Sequence, residues 1–371
     1  MNNRKIPFNN LPLLPINFNF LNQKIVDQLI RTSNSLSVLS KSLEIIPNHD
    51  VFINNLIIDE CKSSSEIENI VTTHDDLYKA ISLNEKTSHQ VKEVLNYRSA
   101  LYKGLELIKS KPLSTNVFIE IVQEINQNQS GIRNTPGTVL KNNSGKVVYT
   151  PPEGEKVIRD LLKNLENYIH AADDLHPLLK IGVIHYQFEA IHPFYDGNGR
   201  AGRILNILYL VDKGLIPSPI LYLSRYILDN KTNYYNGFER IRETNDWENW
   251  TIYFLKGIRE TSEQVLNRLI KINKYIEKTE IIIREALPRK LDIKHMTNIL
   301  YSQPYCKPKF LIGSMIKDRR TAMKHLNTLT KLGLLRKEKI SNEYLYLNLP
   351  LVSCLKSENL DFNMKTILNN I

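Results

Sequence analysis

Between Ile191 and Arg203 the chain reads IHPFYDGNGRAGR. Gly197 and Gly199, on either side of Asn198, allow a tight turn that aims consecutive backbone N–H groups at one point, and a helix starting there adds the positive end of its dipole. That combination is an anion site. Arg200 and Arg203 add two guanidinium forks about one helical turn apart, a spacing that suits two neighbouring phosphates better than one. Asp196 disfavours a bare anion but suits a Mg²⁺ that bridges those phosphates. His192 titrates near neutral pH, which fits it to take a proton from an incoming hydroxyl. Singly these features are commonplace: a GNG is a turn, His-Pro stops a helix, and arginines on a helix are solvated. Concentrated in one short segment, they point to phosphorus chemistry on a nucleotide with a protein base beside it.

The elements that must position this loop are helical. Before it, HPLLKIGVIHYQFEAIHPF has Pro177 in its first turn, then apolar residues on a helical period, and a stop at His192-Pro193. After it, GRILNILYLVDKGL is a second apolar helix with Gly214 as its closing residue. Helical patterns run from Leu21 to about Ile108, with a turn at Pro47-Asn48, and from about Glu155 to about Glu285. Between them TVLK and KVVYT flank Asn-Asn-Ser-Gly and read as a β-hairpin ended by Pro151-Pro152. The first twenty residues, broken by Pro7, Pro12 and Pro15, read as an extended arm packed on something else.

A chain of 371 residues is long for one core and suggests two or three domains. Hydrophobic residues at 42% and charged residues at 24% fit a soluble, helix-rich protein. No apolar run reaches the roughly 18 residues of a membrane span. The N-terminus has asparagines and prolines where a signal peptide needs a continuous apolar segment, so the expected location is the cytoplasm. Cys61, Cys306 and Cys354 show no paired spacing, which argues against a disulfide framework or a zinc site. Most of the net charge of +10 sits at the end: residues 281 to 371 hold sixteen Lys and Arg against seven Asp and Glu.

His192 to Arg203 resembles the full HxFx(D/E)GNGRxxR signature of the Fic family of protein adenylyltransferases and departs from it nowhere. The likeness in layout covers most of residues 10 to 260. The resemblance implies a mainly α Fic-type helical bundle with a β-hairpin flap. It implies His192 as general base, Asp196 as the Mg²⁺ ligand, and the amides of Gly197, Asn198 and Gly199 as the phosphate cradle. Arg200 would bind the α/β region of ATP and Arg203 the γ-phosphate, with Phe194 anchoring the loop in the core. The hairpin from Thr138 to Pro152, with Val148, Tyr149, Thr150 and Pro151, would hold the target backbone as an added strand. Asn230, Tyr234 and Tyr235 are similar to the region lining the adenine pocket. Upstream, Ser64, Glu68 and Asn69 in SSSEIENI resemble the family's (S/T)xxxE(G/N) inhibitory helix. Ser64 and Glu68 share one helix face, so a Glu68–Arg203 pair would deny that arginine to the γ-phosphate.

Residues 281 to 371 read as a separate module. HMTNILYSQPY, FLIGSMI and DRRTAMKHLNTLTKLGLL give three helical runs, the last capped by Asp318 and closed at Gly333, followed by two β-prone runs around Ser341-Asn342. That is the order of a winged helix-turn-helix, similar to the module many Fic proteins carry at this end. On DNA, Arg319, Arg320, Thr321 and Lys324 would face a major groove and Lys337 and Lys339 would touch phosphates; an interaction or dimerisation module is equally compatible with the composition.

The expected organisation is residues 1–95 as arm and inhibitory region, 96–280 as catalytic core, and 281–371 as winged helix. The expected activity is AMP transfer from ATP, with Mg²⁺, to a Ser, Thr or Tyr hydroxyl of a target protein or of the chain itself, restrained by Glu68. Removal of AMP by the same site, or a DNA-binding regulator whose core senses nucleotide, are the alternatives. A target protein, a second copy of the chain in a homodimer and DNA are the partners considered, and a membrane is not among them.

Overall fold

The computed structural model describes residues 4–45, 49–83, 87–142, 144–313, 316–340, 343–355, 362–364 and 367. The expected turns at Pro47-Asn48 and Ser341-Asn342, Asn143 of the hairpin turn, and Ser314-Met315 of FLIGSMI lie outside the described residues.

The protein is mainly helical. α1 (Gln23–Ile45), α2 (His49–Ile67), α3 (His74–Leu83), α4 (His89–Leu107) and α5 (Thr115–Asn126) lead to a hairpin of β1 (Leu140–Lys141) and β2 (Val147–Tyr149). α6 (Glu155–His170), α7 (Pro177–Ile191), α8 (Asn198–Asp212), α9 (Ser224–Asp229), α10 (Lys231–Thr244) and α11 (Trp247–Ala286) follow. Last come α12 (Ile293–Ser302), β3 (Tyr305–Cys306), a 3₁₀ turn (Pro308–Leu311), α13 (Arg319–Lys331), β4 (Leu335–Ile340), β5 (Glu343–Asn348) and α14 (Leu349–Leu355). These form two compact units, one of residues 1–40, 60–72 and 89–263, the other of residues 41–59, 73–88 and 264–371.

In the first unit α7 and α8 occupy the centre. Every residue of α7 except Pro177 and Glu189 is buried, as expected of a helix that is apolar on all sides. α6 buries a single stripe, Ile158, Leu161, Leu162, Leu165 and Ile169, and packs on α7; α5 does the same with Val117, Phe118, Ile121, Val122 and Ile125 against α4 and α8. Each such side chain contributes about 1.5–3 kcal/mol by leaving water. An aromatic wall fixes α10 and α11 to α7: Trp250 donates its indole N–H to the Gly182 carbonyl at 2.8 Å, and Tyr186, Phe238 and Trp247 pack around it.

The hairpin is shorter than TVLK and KVVYT suggested. Leu140 pairs with Tyr149 and Lys141 with Val147, with an irregularity between them that ends the ladder early. The proline-broken arm is extended and held by polar contacts: Asn164 bonds both peptide groups of Leu14, at 2.8 and 2.9 Å, and Phe8 N–H donates to the Thr150 carbonyl at 3.1 Å.

In the second unit the sheet order is β3-β5-β4, all antiparallel. Asp318 caps α13 by accepting from the Thr321 amide at 2.9 Å. Among the described residues of FLIGSMI, Phe310 and Leu311 complete the 3₁₀ turn whose start Pro308 fixes, and Ile312, Gly313 and Ile316 are not helical. Two expected DNA contacts are committed within the unit. Lys337 donates to Asn327 at 3.1 Å and lies over the Tyr344 ring, and the Thr321 hydroxyl donates to Asp318 at 2.7 Å. Arg319, Arg320, Lys324 and Lys339 are exposed. The three cysteines are free and buried, and no helix among the described residues is long and apolar enough to cross a membrane.

Candidate active site

The site forms where α7 stops and α8 starts. Pro193 disfavours helical backbone at His192, which turns into the left-handed region at φ 49° while its N–H donates to the Phe188 carbonyl at 3.0 Å. Gly197 makes the next sharp bend at φ 82° and leads into α8. Between these bends Phe194 is 1% exposed against Phe188, and Asn198 clamps it from the other end of the loop. The Asn198 carbonyl oxygen accepts from Phe194 N–H at 2.9 Å and its amide donates to the Phe194 carbonyl at 2.8 Å. Asn198→Ala removes both buried bonds and is expected to cost about 1–3 kcal/mol in denaturant unfolding. An unchanged midpoint would mean that the backbone alone holds the loop.

Of the three amides expected to cradle phosphate, that of Gly197 is already engaged, donating to Asp196 Oδ1 at 2.6 Å. Those of Asn198 and Gly199 belong to the first turn of α8, whose N–H groups have no partner within the helix. Asp196 itself is 79% exposed. Among the described residues no cluster of three or more His, Cys, Asp or Glu would hold a metal alone. An exposed carboxylate here, 3.7 Å from Arg200, fits a Mg²⁺ shared with phosphate oxygens and water.

Both arginines of the loop are buried and engaged by acids. Arg200 pairs with Glu93 of α4 at 2.5 Å and also donates to Asn126 at 3.4 Å. Arg203, 2% exposed, donates through Nε to the Ser64 hydroxyl at 2.8 Å and through Nη2 to the Ser64 carbonyl at 3.0 Å and Glu68 Oε1 at 2.8 Å. Glu68 stands just past the last residue of α2, so it is the helix ending that aims it. Asn69 takes the left-handed conformation at φ 64°, the Ile70 amide bonds back to the Ser65 carbonyl at 3.0 Å, and Lys231 holds the Ile67 carbonyl at 2.8 Å. The Glu68 carboxylate lies where a Cβ on Gly199 would stand, so it sits over the first turn of α8. Burial pushes the Glu68 carboxyl upward, but the charge and hydrogen bond of Arg203, with Arg200 and Lys231, outweigh it and hold it below its ordinary value. Burial likewise opposes the charge of Arg203, and Glu68 more than offsets it.

His192 is neutral at physiological pH. Burial, with the charge of Arg133, lowers its imidazole to about 4, and its buried Nδ1 has no hydrogen-bond partner. Arg133 also fixes the backbone here, donating through Nε to the His192 carbonyl at 2.7 Å and through Nη2 to the Ile191 carbonyl at 3.2 Å and to the Pro152 carbonyl. One turn before His192, Glu189 faces the same centre with an unpartnered buried oxygen; burial above all, and then Glu68, raise its carboxyl to about 8 against the opposing pull of Arg203.

Of the three residues expected near the adenine, one is placed differently from what the motif implied. Tyr234 is a core side chain, 3% exposed, with its hydroxyl on His185 Nε2 at 2.7 Å and its ring within the aromatic wall, so it lines no open pocket. Tyr235, 49% exposed, and Asn230, at the junction of α9 and α10, remain at the surface edge. In the hairpin Tyr149 and Thr150 turn inward, the first donating to the Ala190 carbonyl at 2.8 Å and the second to the Arg4 carbonyl at 2.7 Å, and Pro151 is buried. The polar side-chain groups of Tyr149 and Thr150 are thus engaged within the protein; Val148 is half-exposed. Glu93, Asn126, Arg133, Glu189 and Lys231 were not legible beforehand. Arg133 lies inside the turn-rich GIRNTPG, where nothing in the sequence signals that its charge is buried.

Comparison with known proteins follows the same layout. Residues 26–106 match the Fic/DOC family N-terminal model, residues 112–210 the Fic/DOC family model, and residues 275–351 the model described as protein adenylyltransferase SoFic-like, C-terminal domain. A probable protein adenylyltransferase of Aquifex aeolicus is 27% identical over 181 residues, which are 47% of this chain and 54% of that protein. The protein adenylyltransferase Fic of Drosophila virilis is 24% identical over 151 residues, 40% of this chain and 30% of that protein. The chain thus spans about half the length of the first relative and under a third of the second. Among solved structures, a Fic family protein from Desulfovibrio desulfuricans G20 superposes with a TM-score of 0.58 at 17% identity, covering 90% of this chain and 98% of that one. A Fic domain containing signaling protein from Bacteroides thetaiotaomicron gives 0.53 at 19% identity, over 66% and 97%. With its signature loop between two buried helices and three family models in order along its length, the chain belongs to the Fic/DOC family.

Proposed function

We propose that the protein transfers AMP from ATP to a Ser, Thr or Tyr hydroxyl of a target protein, releasing diphosphate, and that Glu68 holds the resting form inactive. The observation that carries this reading is the Arg203–Glu68 pair. A buried arginine at the mouth of an anion-binding helix start is occupied by a carboxylate from another helix, beside a neutral histidine.

In the working form the Arg203 guanidinium turns from Glu68 to the γ-phosphate, and the Asn198 and Gly199 amides with Arg200 take the rest of the phosphate chain. Asp196 would hold Mg²⁺, which supplies charge neutralisation across the phosphates when bound. The target hydroxyl attacks the α-phosphorus in line, the bond from that phosphorus to the bridging oxygen of the β-phosphate breaks, and the hydroxyl proton passes to the His192 imidazole. Arg133 keeps the ring at the end of α7. The order helix, strand, 3₁₀ turn, helix and hairpin in the second unit supports a winged helix there.

The direct test incubates the Glu68→Gly form with cell extract and ATP carrying label on either the α- or the γ-phosphate. Label on protein from the α position alone is the expected result. Label from the γ position would mean phosphoryl transfer, and the reading would be wrong.

The pH profile follows from the surroundings of His192. A base held at about 4 stays unprotonated throughout the neutral range, so kcat/KM should show no acid limb near 6.5. Removing Glu68 takes away a charge that raises this imidazole, so the Glu68→Gly form should keep the flat profile from about pH 6 to 8. A limb near 6.5 would mean that the working imidazole is solvated.

A further inference from the structure

Beside the hairpin lies an open cavity of about 830 Å³ between the arm, β2 and the end of α10. We propose, on the basis of the transfer reading above, that this cavity receives an acidic segment of the target flanking the modified hydroxyl, and that Lys146 and Arg242 select it.

The walls are of two kinds. Ile6, Phe8, Val148 and the ring of Tyr149 give an apolar floor, on which Ile6 stands 61% exposed. Lys146 of the hairpin and Arg242 of α10 supply charge at the rim. Neither makes an ion pair among the described residues, whereas Arg4 is neutralised by Glu239 and by Glu243 at 3.1 Å. The single carboxylate on the walls, Glu243, is thus already engaged. Arg242 is also held in place, its guanidinium 4.8 Å from the centre of the Tyr149 ring, so it loses little freedom on meeting a carboxylate. An apolar floor with unpaired cations at the rim fits an extended peptide that buries one side and presents acids to the rim.

The location agrees. β2 has no strand on its other side among the described residues; the arm meets its continuation at Thr150, whose carbonyl accepts from the Phe8 amide and whose hydroxyl donates to the Arg4 carbonyl. Tyr149 is tied to the Ala190 carbonyl, two residues before His192. Along α10, Arg242 lies about 10 Å from Tyr235 at 1.5 Å per residue. A strand added to β2 with its hydroxyl at His192 therefore carries its neighbouring side chains over this cavity.

Three peptides test the idea, each with one threonine flanked by glutamates, by glutamines or by lysines. The enzyme is the Glu68→Gly form, with and without Lys146→Glu and Arg242→Glu together. The glutamate peptide should be modified with a kcat/KM at least about tenfold above the glutamine peptide, the effect of one charge-assisted hydrogen bond. The double charge reversal should erase that preference and turn it toward the lysine peptide. Equal rates on all three peptides, or a preference indifferent to the reversal, would overturn the proposal while leaving AMP transfer intact. If transfer itself fails, anisotropy of a labelled glutamate peptide on the full His192→Ala chain still decides: binding that the reversal weakens at least tenfold supports the proposal, and no binding or indifferent binding sinks it. A second copy of the chain as the occupant would show as dimerisation lost on reversal, with no peptide preference.

Discussion

Glu68→Gly is expected to raise AMP transfer about ten- to a hundredfold while making the protein less stable. The two effects share one cause. The pair between Glu68 and Arg203 at 2.8 Å is intermediate in character, because the arginine is buried while the Glu68 side chain keeps 39% of its surface open. It should therefore contribute more than a surface pair and less than a fully buried one, about 1–3 kcal/mol, which corresponds to that range of rates when the pair must open before ATP can bind productively. Deleting the carboxylate frees the arginine but leaves its charge less compensated, although Ser64 still accepts two of its bonds. ATP should then stabilise the variant more than it does the unaltered protein, because the ligand restores the missing negative charge. Labelled ATP and thermal unfolding with and without nucleotide measure both effects. Unchanged or reduced transfer, with Arg203 still binding ATP, would remove Glu68 from its inhibitory role.

His192→Ala in the Glu68→Gly form should lower transfer by about 10³-fold or more and leave ATP affinity within about twofold, since general base catalysis of this kind contributes 10²–10⁴. The His192 backbone is held by Arg133 through the His192 carbonyl, a contact that the substitution keeps. Loss of rate and of ATP affinity together would instead show that the ring supports the loop. Arg133→Ala gives the complementary case: it removes three bonds to backbone carbonyls around the end of α7, so it should impair both transfer and stability.

Much of this site is local and therefore visible in the chain order. His192, Asp196, Gly197, Asn198, Gly199, Arg200 and Arg203 are contiguous, and proline, glycine and helical periodicity on either side suffice to place them at the junction of two buried helices. Asn198 clamping Phe194 is a contact across four residues, which a linear reading can reach. The C-terminal strands and the cap at Asp318 were legible for the same reason. The short 3₁₀ turn in place of a helix was not, because periodicity over seven residues does not say whether a helix will nucleate.

Which distant charges meet is set by packing between helices. Glu93 and Glu189 sit in α4 and α7, and nothing in their local sequence distinguishes them from the solvated carboxylates around them; Glu68, just past the end of α2, was marked by its resemblance to the inhibitory helix. Packing brings Glu93 onto Arg200 and Glu68 onto Arg203, and leaves one buried oxygen of Glu189 without a hydrogen-bond partner, its carboxyl raised to about 8. The same holds for the two tyrosines of α10: the pattern offers both to a nucleotide, and the aromatic wall takes Tyr234 and leaves Tyr235 exposed. The geometry of the loop was legible along the chain, because backbone turns and the first turn of a helix are set by sequence neighbours. Whether that chemistry is open or closed rests on long-range burial, which fixes the charge each group carries.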